Sequence, residues 1–173
     1  MRPLIVTATG LALLAILGCT PAFNWREVSI AATPLVALFP CKAERTSRRL
    51  AVGGAEVELH MTHCETAGVT VAIGHARVAD PALIAPVLVQ WRNAVLAGMR
   101  ANGSKQLVWS LPRASLQPSP VLLEATGTGM DGKPRILKGA WFARDEEVFA
   151  AMLYAQTLDP EVGEAFFSGL GFR

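Results

Sequence analysis

A chain of 173 residues, 51% apolar and 17% charged, is long enough for one domain with a substantial core, not comfortably for two, and its composition is that of a folded protein. Its formal charge of +2 is near neutral for this length. Electrostatics therefore gives no case for a nucleic-acid partner.

Arg2 makes a short positive start, and Leu4 to Leu17 is an apolar run. The run is too short for a good membrane-spanning helix, because Asn24, Arg26 and Glu27 soon follow. It ends in Ile16-Leu17-Gly18-Cys19. This stretch resembles the lipobox of bacterial lipoproteins, with an aliphatic residue three places before the cysteine and a small one directly before it. Leu17 departs from the pattern, which more often has a smaller residue there. The resemblance implies a signal peptide over residues 1–18, cleavage before Cys19, a diacylglycerol on its sulfur and an acyl group such as palmitate on the new amine. Two or three acyl chains hold a protein stably at a membrane where one does not. The alternative is an ordinary cleaved signal with an incidental cysteine. Thr20 rather than aspartate follows, which by resemblance to Gram-negative lipoproteins favours the outer membrane over the inner one. The expected location is the cell envelope, anchored and facing the periplasm. Cutting before Cys19 leaves 15 basic and 14 acidic side chains.

Residues 19–24 then form a short tether and residues 25–173 a single domain. Cys41 and Cys64 remain. An even pair in an oxidising compartment predicts one disulfide, worth ~3 kcal/mol through chain entropy. Two separate thiols are the alternative.

Trp25–Ile30 and Leu35–Phe39 read as short extended pieces split by Thr33-Pro34. Residues 46–78 read as a meander: Arg48–Val52, a Gly53-Gly54 turn, the alternating Glu56–Met61, a turn over Glu65–Gly68, then the β-branched run Val69–Val78. Asp80-Pro81 starts a helix whose stripe is Ile84, Leu88, Trp91, Val95 and Met99, ending at Asn102-Gly103. Pro86 is expected to kink or delay its first turn. Strands are predicted over Lys105–Leu111, Val121–Thr128, Ile136–Ala143 and Val148–Ala155. A proline-rich loop spans Pro112–Pro120, and Asp131-Gly132 and Asp145-Glu146-Glu147 mark turns. Asp159-Pro160 opens a last helix carrying Val162, Phe166 and Phe167 into Leu170. The fold class is α+β: a mainly antiparallel sheet with one long and one short C-terminal helix packed against it. Together with "LFPCKAE" after the first strands and "EAFFSGLGF" at the close, this layout resembles the small PsbP-like envelope proteins, many of them proteobacterial lipoproteins. That resemblance implies binding and assembly roles rather than catalysis, and carries over no functional residue.

Candidate chemistry is sparse. His60-Met61-Thr62-His63-Cys64, with His75 in the next strand, offers imidazoles for zinc or copper. In a strand, however, His60 and Cys64 face one way and His63 the other. Gly127-Thr-Gly-Met-Asp-Gly-Lys133-Pro134 approaches a P-loop but has proline where serine or threonine should stand, and a strand rather than a helix follows. It reads as a hairpin, and neither a nucleotide nor another cofactor is implied. Lys42, Arg45, Arg48 and Arg49 form the only basic cluster. They could contact lipid headgroups or guard an exposed edge strand. The paired acids Asp145-Glu146-Glu147 and Glu56/Glu58 read as solubilising residues of a turn and an exposed strand face. Two functions follow. One is a lipid-anchored, non-catalytic binding or assembly module with an envelope protein or lipid as partner. The other is an envelope metal-binding protein or enzyme using His60, His63 and His75.

Overall fold

Three neighbouring strands are apolar on both faces, and a sheet with such a centre needs a cover on each side. The computed structural model describes residues 22–173, so the signal segment and Cys19 lie outside the described residues. In chain order the elements are β1 (Arg26–Ser29), β2 (Leu35–Phe39), β3 (Glu44–Val52), β4 (Ala55–Thr66), β5 (Val69–Arg77), α1 (Pro81–Gly98), β6 (Gly103–Leu107), β7 (Val121–Thr128), β8 (Pro134–Arg144), β9 (Glu147–Ala155), α2 (Pro160–Ser168) and β10 (Gly171–Phe172). Seven strands form one antiparallel sheet in the order β3-β4-β5-β9-β8-β7-β6. Its middle, β5-β9-β8, is buried over most of its length. The protein is thus α+β and mainly antiparallel.

One face is covered by α1, which lays Ile84, Val87, Leu88 and Trp91 on Ala72, Ala76, Leu137, Trp141 and Ala150. The other is covered by α2 and a small sheet in the order β1-β2-β10. There Leu35, Ala37 and Phe39 meet Val71, Ile73, Phe142 and Phe149. Phe166 of α2 stands edge-on to Phe39 at 6.2 Å, and Phe172 stands edge-on to both Phe142 and Phe149. The Cys41–Cys64 disulfide joins the segment after β2 to β4, tying this second layer to the large sheet.

Local chemistry sets the boundaries. Asp80 and Asp159 each accept the backbone N–H two residues on, at 2.9 Å, and a proline follows each as the first helical residue. Helix α1 runs through Pro86 from Pro81, so the first turn is not delayed. It ends at Gly98, four residues before the expected stop. The cause is β7: Asn102 donates its N–H to Thr126 at 3.0 Å and accepts the Thr126 hydroxyl at 2.8 Å, which makes it the entrance to β6. Strand β6 correspondingly closes at Leu107 instead of Leu111, and Val108 is fully exposed. Strand β4 runs on past Met61 to Thr66, and β10 pairs Phe172 with Leu35 beyond Leu170, where the last predicted element ends.

Two glycines set how close α1 can lie. A Cβ on Gly74 would meet the Trp91 ring at 2.4 Å, so the indole sits where β5 has no side chain. Gly53, in the β3–β4 turn at φ +62°, would drive a Cβ to 2.5 Å from the Val87 backbone, and its N–H is donated to the Gln90 side chain. Gly53→Ala combines left-handed strain with collision against helix backbone, and should cost about 2–4 kcal/mol. Gly68→Ala carries the strain alone, since nothing lies within 4 Å of its Cβ position, and should cost about 1–2 kcal/mol. Urea unfolding of the two variants checks the difference; equal losses would remove the role given to the hairpin–helix contact. Replacing both Cys41 and Cys64 by alanine should lower stability by ~3 kcal/mol in the same assay.

Candidate functional site

The small sheet lies over β4, β5, β9 and the Phe142 end of β8, while the stretch of β7 and β8 at Leu122, Glu124, Ile136 and Lys138 is flanked by α2, Leu158 and Trp109. The result is an open groove of about 640 Å³. Register fixes its floor. Glu124 pairs with Lys138 and Leu122 with Ala140, so Leu122, Glu124, Ile136 and Lys138 all point to this face. Its walls are Phe167 and Glu164 of α2, Leu158 before it, and half-buried Trp109. Lys138 Nζ is 3.4 Å from Glu124 and 5.7 Å from the centre of the Phe167 ring. An ammonium held between a carboxylate and an aromatic face lies over an apolar floor, which suits recognition of an amphipathic partner. Ser168, at the rim, donates its hydroxyl to the Ala165 carbonyl at 3.4 Å.

The histidines separate as strand geometry requires. His60 and His75 are cross-strand partners and stack at 5.2 Å between ring centres. His63 pairs with Ala72, which belongs to the α1 side. The run Asp145-Glu146-Glu147 predicts a turn position for Glu147. It is the first residue of β9, and its carboxylate lies 2.7 Å from His75 Nε2. His75 is 5% exposed, and its Nδ1 has no hydrogen-bond partner among the described residues. Burial holds His75 below its ordinary value of 6.5; Glu147 opposes that shift and exposed His60 adds to it. Beside the pair, Arg45, Ser47, Thr62 and Ile30 line a recess of about 210 Å³. Among the described residues, no three His, Cys, Asp or Glu side chains converge to hold a metal ion.

The basic cluster does not make one patch. Lys42 lies between β2 and β3. Arg45 and Arg49 pair with Thr62 and Glu58 and face the small-sheet side, where Arg45 donates to the Ser29 carbonyl at 3.2 Å. Arg48 pairs with Leu59 and faces α1. The cysteines do meet, with their sulfurs 2.06 Å apart. The P-loop-like stretch is the β7–β8 hairpin: Thr128 pairs with Pro134, Gly129 donates to the Lys133 carbonyl at 2.9 Å, and β8 follows. Trp141 is buried on the α1 side, while Trp25 and Trp109 flank the opposite core. Of these two, Trp25 precedes β1 and Trp109 follows β6, so neither is the strand residue that was expected. Phe166 and Phe167 are both buried. Among the described residues, no helix is long and apolar enough to cross a membrane.

No protein-family model and no curated protein matches this chain. A solved structure from Pseudomonas aeruginosa, PA94, described as a protein of unknown function, aligns over 82% of this chain and 89% of its own. It does so at 13% identity and a TM-score of 0.38, too distant a likeness to carry an argument.

The buried imidazole makes stability depend on acid. Because His75 titrates below 6.5 in the folded chain, the unfolded chain takes up the proton first as pH falls. The stability tied to neutral His75 is whole above about pH 6.5 and is lost on acidification toward the folded-state value. Its contribution to the slope should be at most about 1.4 kcal/mol per pH unit. His75→Gln should remove that part of the profile and His63→Gln should leave it, measured by urea unfolding between pH 4.5 and 8. A profile unchanged by His75→Gln would sink the assignment.

Proposed function

We propose that this chain is a lipoprotein of the bacterial cell envelope, attached to the membrane through Cys19 and facing the periplasm, more at the outer than the inner membrane. Its domain is a non-catalytic binding or assembly module, in keeping with the PsbP-like resemblance of its layout. The observation that carries the binding role is the groove beside α2, with an apolar floor and the Lys138–Glu124 pair inside it. The partner is an envelope protein or a lipid that offers an apolar surface with a polar edge. The anchoring reading is supported by Ile16-Leu17-Gly18-Cys19 and by the point where the chain joins the domain. The carbonyl of Ala22 accepts the Thr66 hydroxyl at 3.1 Å, and Asn24 donates its N–H to Pro40 at 2.8 Å. A lipidated Cys19 would therefore hold the body within a few residues of the membrane.

A second reading, a metal-binding envelope protein, keeps His60 and His75 and does without His63. A carboxylate behind a buried imidazole is a common outer partner of a metal-ligating histidine. It is the weaker reading, because the two rings face each other across a stack and a metal is bound at the ring edge.

Intact mass of the membrane fraction from a Gram-negative host, taken without reduction, tests the anchor. A chain beginning at Cys19, heavier by acyl groups and lighter by two hydrogens, is expected; a soluble chain cut elsewhere with an unmodified cysteine would overturn it. A photo-crosslinking residue in place of Glu164 tests the groove in intact cells. A discrete adduct that disappears with Ile136→Glu is expected, and no reproducible adduct would remove the binding role. Zinc or copper retained through purification, and lost together with His75→Gln, would favour the metal reading instead.

A further inference from the structure

We propose that the crevice between α1 and the β3–β4 hairpin binds a medium-chain fatty acid, with its alkyl chain under the helix and its carboxylate on Arg48. The site is separate from the α2 groove and holds with or without the Cys19 anchor.

Two contacts described above create the crevice. The Gly53 turn abuts α1 at Pro86–Val87, and Trp91 drops onto Gly74 of β5. Between them the helix spans the outer hairpin without filling the space below it, leaving about 220 Å³. Leu50, Val57 and Leu59 line it from the strands, and Val87, Trp91 and Val95 from the helix. The volume equals about seven water volumes, and a methylene is close to a water in size, so one short alkyl chain fits and a two-chain lipid does not.

Among the described residues Arg48 is the one charged side chain lining this space, and it stands exposed beside the opening. Among the described residues no carboxylate pairs with it. Glu56 and Glu58 of β4 pair with Ala51 and Arg49 on the opposite face of the hairpin. Helix α1, over residues 81–98, contains no acidic residue. The nearest acid on its own strand face, Glu44, is four residues away, about 13 Å along a strand. A guanidinium beside an apolar cavity matches an amphiphile with a single planar anionic head, since its fork of N–H groups takes a carboxylate by two parallel hydrogen bonds. A neutral alcohol would leave that fork unused, and an ammonium head would be repelled.

The test uses residues 20–173, which carry every described element, so that neither an acyl chain nor an uncleaved apolar signal segment competes. Octanoate, octanol and octylammonium are titrated by calorimetry and by the indole N–H signals, with Trp91 assigned through Trp91→Phe. Octanoate should bind at least tenfold more tightly than octanol, shift the Trp91 signal, and bind better than octylammonium by more still. Arg48→Gln should weaken octanoate tenfold or more while leaving octanol and the urea midpoint nearly unchanged. Ala94→Trp, at the opening, should weaken both. Equal affinity for octanoate and octanol, shifts at Trp109 in place of Trp91, octanoate affinity insensitive to Arg48→Gln, or no binding at millimolar octanoate would each overturn the proposal.

Discussion

The structure depends on β5, β9 and β8 having no face that water can tolerate. Val71, Ile73, Phe149, Leu153 and Phe142 point one way, and Ala72, Ala76, Ala150, Leu137 and Trp141 the other. Removing apolar area of this extent from water is the main term favouring the folded chain. Each side needs a cover of its own, and chain order decides which segments supply it. The crossover from β5 to β6 provides α1 for one side. The two ends of the described chain, β1-β2 with α2-β10, provide the other. The second cover comes from sequence-distant pieces, and the Cys41–Cys64 bridge fixes one of them to the sheet beneath.

The two covers are closest over the middle of the seven-stranded sheet and leave gaps toward its flanks. Small side chains at the centre let α1 settle deeply there, with Trp91 over Gly74, and so tie it to the middle of the sheet. Over the hairpin the helix rests on the Gly53 turn and leaves the crevice beside that contact. On the other side α2 leans on β2, where a Cβ at Gly169 would strike Leu38 at 2.7 Å, and so stands back from β7. Both openings are consequences of covering the centre tightly. Their polar groups, Arg48 in one and Lys138 with Glu124 in the other, stand where the sheet's period turns from apolar to charged.

Much of the fold is legible in local chemistry. Asp80-Pro81 and Asp159-Pro160 announce both helices, Gly53-Gly54 and Asp131-Gly132 announce two hairpins, and alternation over Glu56–Met61 gives β4 its faces. Strand period alone separates His63 from His60. What is not legible depends on partners distant in sequence. Glu147 meets His75 diagonally across β9 and β5, a relation set by register, which two strands separated by a helix and three other strands do not reveal. Asn102 looks like a helix stop until Thr126 claims it. A two-residue strand such as β10 has no pattern to detect. The α2 groove leaves no motif because it is a space left open between elements, and its floor and walls come from four separate stretches of chain.

The pairing of Phe172 with Leu35 also bears on the order of events during folding. Contacts between the far ends of a chain form late, since the entropy of closing so large a loop must be met before the contact returns anything. The meander β3-β4-β5 and the β7-β8-β9 hairpins are local and can assemble first. At that stage Phe142 and Phe149 face water, with the shelter of β2, α2 and β10 still missing. The half-built sheet is then an adhesive surface, and the interval before its ends meet is when this chain is most exposed to misassociation.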